Sequence, residues 1–129
     1  MNASIYFIAV KGRDMSPIKI GTSKNPDQRL SLLQAGSPDE LYTIGVTAGS
    51  YKDEALIHRA FSGLHMRNEW FRYDAELEFF AHEIIRRGVN AVRVELQDRA
   101  QSGRGIRVKS IGGIERIRLG VARRSEVAA

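Results

Sequence analysis

Lys19 and Arg29 stand ten residues apart, on either side of the polar turn Thr22-Ser23-Lys24-Asn25-Pro26-Asp27. Lys19 belongs to a short apolar run, Ile18-Lys19-Ile20, that stops at Gly21. Arg29 opens a segment with Leu30, Leu32 and Leu33 at helical spacing. A strand end and the first turn of the next helix can converge on one small pocket, and two cations there suit an anion, phosphate first. Two solvated surface charges are the competing reading.

Glu54 and His58 are four residues apart, so they share one face of a helix. A carboxylate there suits a hard divalent cation, with the imidazole orienting it or shuttling a proton. A satisfied boundary histidine and a solvated acid are the alternatives, and Asp53 competes for the ligand role. Tyr6 is the polar-tipped residue within the aromatic and β-branched run Ser4-Ile5-Tyr6-Phe7-Ile8-Ala9-Val10. In a hairpin it shares a face with Lys19. An ammonium beside a phenol favours the phenolate, so the pairing predicts a lowered Tyr6 pKa and a group able to deprotonate water. A core or edge tyrosine is the alternative. Asn68-Glu69-Trp70-Phe71 holds the single Trp, with Trp70 and Phe71 as core anchors. Glu69 reads first as a cap or a partner of Arg67 or Arg72, and second, with Asn68, as an accessory to a site.

The elements that must position these residues are legible in order. Residues 4–10 and 18–20 predict two strands of a hairpin. A short helix follows, capped by Asn25 or Asp27, with Pro26 in its first turn and Gly36 at its end. Residues 41–47 predict a third strand, with Leu41, Thr43 and Gly45 on one face. Residues 51–64 predict an amphipathic helix buried through Ala55, Ile57, Ala60, Phe61 and Leu64. Residues 65–73 read as an extended crossing or short strand, and residues 74–87 as a helix capped by Asp74 with Arg86 and Arg87 at its end. The alternation over residues 89–96 predicts another strand, 97–105 a linker, and 111–124 a basic helix formed on binding. The fold class is α+β: a small three-stranded, mainly antiparallel sheet flanked by helices.

The chain has 129 residues, enough for one domain with an appendage, and no cysteine, which excludes disulfides, thiolate metal sites and cysteine nucleophiles. No apolar run approaches the roughly 20 residues a bilayer span needs. The N-terminus lacks the pattern of a signal peptide, so a cytoplasmic location with no membrane partner is expected. The net charge of +5 is unevenly divided. Residues 1–85 carry nine Lys+Arg against eleven Asp+Glu, and residues 86–129 eleven against four. The division separates a domain at 1–86 from a basic, partly flexible extension at 87–129. A polyanion is the expected partner, nucleic acid ahead of a membrane surface. Its expected contacts are Lys24, Arg104, Arg107, Lys109, Arg116, Arg118, Arg123 and Arg124.

Taken together, these residues resemble the GIY-YIG nuclease superfamily, in the branch related to the meiotically up-regulated gene 113 proteins and their phage relatives. Ser4-Ile5-Tyr6 stands where the family has Gly-Ile-Tyr, and Lys19-Ile20-Gly21 where it has Tyr-Ile-Gly. Arg29 falls on the helix that carries the family's Arg. The run from Asp53 to Phe61 is similar to the branch's Glu-x-x-x-His-x-x-Phe helix, and Asn68-Glu69-Trp70-Phe71 to its Glu-Trp-Phe signature. The likeness covers about residues 4–85. It implies hydrolysis of phosphodiester bonds in DNA, most simply double-stranded, with one divalent metal, Mg2+ or Mn2+. Carried over, Glu54 is the metal ligand, Arg29 holds the scissile phosphate and Tyr6 activates or positions water. Lys19 tunes Tyr6 or binds phosphate, His58 assists proton transfer, and Asn68 is the candidate for the family's late Asn. A non-catalytic nucleic-acid-binding module of the same fold, and a protein-interaction domain, are the alternatives.

Overall fold

The computed structural model describes residues 2–102. The sheet has five strands: β1 (Ser4–Val10), β2 (Ile18–Ser23), β3 (Leu41–Ala48), β4 (His65–Arg67) and β5 (Trp70–Phe71). Their order is β3-β1-β2-β5-β4, every neighbouring pair antiparallel. The expectation of three strands is therefore corrected. The stretch expected as one crossing folds back on itself, because Asn68 takes a left-handed conformation (φ 51°) that turns β4 into β5. β5 then pairs with β2 through Ile18↔Phe71 and Lys19↔Trp70.

Four helices cover the sheet: α1 (Pro26–Ala35), α2 (Tyr51–Ala60), α3 (Ala75–Arg87) and α4 (Arg93–Ser102). The main core lies on one face. It joins Ile5, Phe7, Ile18 and Ile20 of the sheet to Leu56, Ile57 and Ala60 of α2, Leu77, Ala81 and Ile84 of α3, and Leu96 of α4. The opposite face carries Tyr6, Ile8 and Leu41, covered by Leu30 and Leu33 of α1 and by Trp70. The two-residue period of β1 thus sends alternate side chains to two helical layers.

In β3 the expected alternation is broken. Phe7 pairs with Gly45 and Ile8 with Thr43, leaving Ile44 unpaired in a bulge. Thr43 and Gly45 therefore face opposite sides. Gly45 lies against α3, where an added Cβ would come within 2.7 Å of Ile85.

Residues 89–96 are not a strand. Val89, Val92 and Leu96 are buried in the core from a 3-10 turn (Val89–Val92) and α4. Their spacing of three and four is helical, and tertiary burial prevails over the alternating pattern. Nor is residue 97 onward a linker up to Ser102. Arg99, 6% exposed, donates from Nε to the Ala60 carbonyl at 3.2 Å, pairs with Glu76 at 2.7 Å and lays its guanidinium 4.4 Å from the Phe61 ring centroid. The basic helix expected over 111–124, and Arg104, Arg107, Lys109, Arg116, Arg118, Arg123 and Arg124, lie outside the described residues. Among the described residues no helix is long and apolar enough to cross a membrane.

Candidate functional site

The polar cluster lies at the edge of β2, just beyond the point where β5 stops pairing with it. From the α1 side come Tyr6, Lys19 and Arg29, and from the α2 side Thr22, Glu54 and His58. Glu69 sits at the strand edge, where its carbonyl accepts the Ile20 amide at 3.0 Å and its carboxylate meets groups from both faces.

Tyr6 is buried in the middle of β1, opposite Gly21. Its hydroxyl accepts from Arg29 Nη1 at 3.4 Å and donates to Glu69 Oε1 at 3.5 Å. Both contacts are long for hydrogen bonds. Arg29 reaches this point because Asn25 caps α1, accepting the Gln28 amide at 3.1 Å, with Pro26 as the first helical residue. Asn25, not Asp27, is thus the cap.

Lys19 shares the Tyr6 face, across from Ile8. The residue is only 7% exposed, and its ammonium lies over Trp70 at 5.7 Å from the ring centroid and pairs with Glu69 Oε1 at 3.3 Å. Here the lowered Tyr6 pKa expected from the sequence is overturned. Burial pushes the phenol above its usual value, Glu69 pushes it further, and Arg29 only partly opposes them. Lys19 spends its charge on Glu69 rather than on the phenol. Glu69 accordingly enters the site instead of bridging Arg67 or Arg72.

Glu54 is 5% exposed. Thr22 Oγ1 donates to its Oε1, and His58 Nε2 lies 3.3 Å from its Oε2. His58 Nε2 is also 2.9 Å from the Ile20 carbonyl, which can only accept, so Nε2 carries the proton and the imidazole holds the Glu54 carboxylate in place. Burial raises the Glu54 pKa; Glu69 adds to the rise, while Thr22 and His58 oppose it. Asp53, the competing candidate, is otherwise engaged. It completes a capping box with Ser50 at the start of α2 and pairs with Arg93 Nη2 at 2.8 Å.

An open cleft of about 540 Å³ runs along α2, lined by Tyr51, Glu54, Ala55, His58, Arg59, Asn68 and Glu69. Asn68 is exposed on its wall, its carbonyl engaged by His65 Nε2 at 2.7 Å. Lys24 is exposed in the β2–α1 turn. Two residues of the site went unmarked in the sequence. Thr22, which holds Glu54, is signalled only by lying two residues beyond Ile20 on the same strand face. Tyr51, which lines the cleft, is signalled by a large aromatic in the first helical position. Among the described residues no group of three His, Cys, Asp or Glu side chains is placed to hold a metal.

A sheet covered on both faces by helices, with a carboxylate, a phenol and an arginine gathered at one strand edge, defines a small α+β domain with a polar site. The chain belongs to the T5orf172 domain family, a phage-related family whose model matches residues 3–93. No curated protein and no solved structure matches it.

Proposed function

We propose that the domain is a metal-dependent DNA endonuclease of the GIY-YIG type. The observation that carries this reading is the convergence of Tyr6, Arg29 and Glu54, from three separate elements, on the edge of β2. The phage-related family is compatible with it.

In the reaction a water oxygen forms a bond to phosphorus, the bond from phosphorus to the leaving ester oxygen breaks, and the water proton passes by way of the Tyr6 phenolate to the solvent or the leaving oxygen. Arg29 holds a non-bridging phosphate oxygen and offsets the charge that grows there. Tyr6 orients the attacking water and takes its proton as the phenolate fraction rises with pH. Lys19, balanced by Glu69, keeps the surrounding field near neutral until a phosphate arrives. His58 and Thr22 fix the Glu54 carboxylate.

The donor set suits a hydrated hard cation. A single oxygen ligand at an open cleft fits Mg2+ or Mn2+, which keep most of their waters and add substrate oxygens. Glu54 would hold it, and the ion would supply charge stabilisation at the reacting phosphate. Lys24 and the basic residues beyond 102 would add sequence-independent phosphate affinity.

The test is nicking of supercoiled plasmid in Mg2+, Mn2+ or EDTA. Metal-dependent nicking that Arg29→Ala slows on the order of 100-fold or more supports the reading. A second reading, nucleic-acid binding without cleavage, is favoured by the surroundings of two residues: Lys19 is already paired with Glu69, and burial holds the Tyr6 phenol above its usual pKa. DNA binding with no cleavage in any metal would select it.

A further inference from the structure

We infer that Tyr51 is a stacking platform for an unstacked nucleobase next to the cleaved phosphate. Tyr51 is the first residue of α2 and is 77% exposed. Among the described residues its ring has no stacking partner and its hydroxyl no hydrogen bond. Nothing in the helix start requires an aromatic there, because Ser50 and Asp53 already form the cap. Tyr51 stands one turn before Glu54 and lines the same cleft.

The rest of the cleft suits a base. Ala55, one turn further along α2, leaves room beside the ring, and Arg59 continues the same face with a planar cation. Asn68 also lines the cleft, and its side-chain amide is of the kind that pairs with a base edge. An aromatic surface with a neighbouring guanidinium is how proteins hold successive bases of a single strand without regard to sequence. A base inside a duplex keeps its faces covered by its neighbours. Stacking on Tyr51 therefore requires a nucleotide that is single-stranded, frayed or turned out. This rests on the endonuclease reading for the position of the phosphate, and it narrows the substrate to nucleic acid with an unpaired base beside the cleavage point.

The test is a fluorescence-anisotropy titration of the full chain with a labelled single strand of about 16 nucleotides, in EDTA so that nothing is cut. Stacking is worth about 1–3 kcal/mol per base, so Tyr51→Ala should weaken binding roughly 5- to 150-fold, and Tyr51→Phe should restore it. A strand of the same length made wholly of abasic nucleotides should bind the wild type and Tyr51→Ala equally, because neither then has a base to stack. Thermal melts equal to wild type would exclude a folding defect in this exposed position. Equal affinity of the wild type and a folded Tyr51→Ala overturns the inference, and equal losses in Tyr51→Ala and Tyr51→Phe overturn it in favour of a hydroxyl contact. If the wild type binds no strand, the site serves another partner and the inference falls. Plasmid nicking in Mg2+ separates the two readings. Tyr51-dependent binding without nicking removes only the endonuclease. Arg29-dependent nicking with no Tyr51 effect on binding removes only the platform.

Discussion

Tyr6 lies directly opposite Gly21 in the β1–β2 ladder, and its hydroxyl fills the space that a side chain at position 21 would need. A Cβ there would fall on the phenol and come within 2.8 Å of Glu69 Oε1. The glycine is required by this close approach. Gly21→Ala should push the Tyr6 ring aside, destabilise the fold by about 1–3 kcal/mol and abolish nicking. Urea denaturation read beside a nicking assay checks both effects. A variant as active as wild type would show that the hydroxyl need not lie there.

Glu69 tunes Tyr6 in a direction that can be measured. The phenol is held above its usual pKa by burial first and by Glu69 second. If Tyr6 takes a proton in the reaction, the rate climbs with pH as the phenolate forms. Glu69→Gln removes an anion that opposes the phenolate and releases Lys19 to favour it. The rising limb of the pH–rate profile should therefore move to lower pH. A limb that stays in place would remove Tyr6 from the proton path.

The Asp53–Arg93 pair couples the start of α2 to α4 and should appear in the acid stability. Burial alone works against ionising Asp53, but the Ser50 amide and the Arg93 guanidinium outweigh it and hold the carboxyl below its usual range. A carboxylate lowered on folding contributes stability that is present above its unfolded pKa and is lost as pH falls through the folded one. Asp53→Asn should cost about 1 kcal/mol at pH 7, a drop of about 4–8 °C in thermal midpoint. The gap to wild type should close as the acid range is crossed. A gap independent of pH would mean that the charge contributes nothing.

Arg99 ties α4 to both neighbouring helices, through the Ala60 carbonyl, Glu76 and the Phe61 ring. Truncation to alanine removes a charged donor from a buried carbonyl and its packing on the ring. A loss of about 2 kcal/mol in urea denaturation is expected. A loss below about 0.5 kcal/mol, the range of ordinary surface positions, would make α4 an appendage rather than part of the core.

The strands β1 and β2 and the helices α1 and α3 were legible because each carries a local signal, alternation, a capping residue or helical spacing, although the choice between Asn25 and Asp27 as the cap of α1 was not. The shared face of Tyr6 and Lys19 followed from the same alternation. The environment of that pair did not. Glu69 is far from both in sequence, and only the turn at Asn68 brings its carboxylate between them. The bulge at Ile44 likewise answers to the packing of α3 over Gly45, which no local pattern encodes. The linker expected from residue 97 failed for a related reason at Arg99. Its charge reads as solvent-facing, yet an ion pair and two aromatic rings make its burial tolerable.

Glu54 gives the most direct test, because function and stability should move in opposite directions there. Its pKa is raised by burial, so its stabilising contribution is complete below the unfolded pKa and is lost as pH rises through the folded one. At neutral pH the charged form therefore weakens the fold. The decisive measurement is the single-turnover nicking rate of Glu54→Gln in Mg2+, together with its thermal midpoint at pH 7. The expected result is a rate lower by on the order of 100-fold or more with a midpoint equal to or above wild type. A variant that cleaves as fast as wild type, with its fold intact, would contradict the role assigned to Glu54 and with it the proposed endonuclease site.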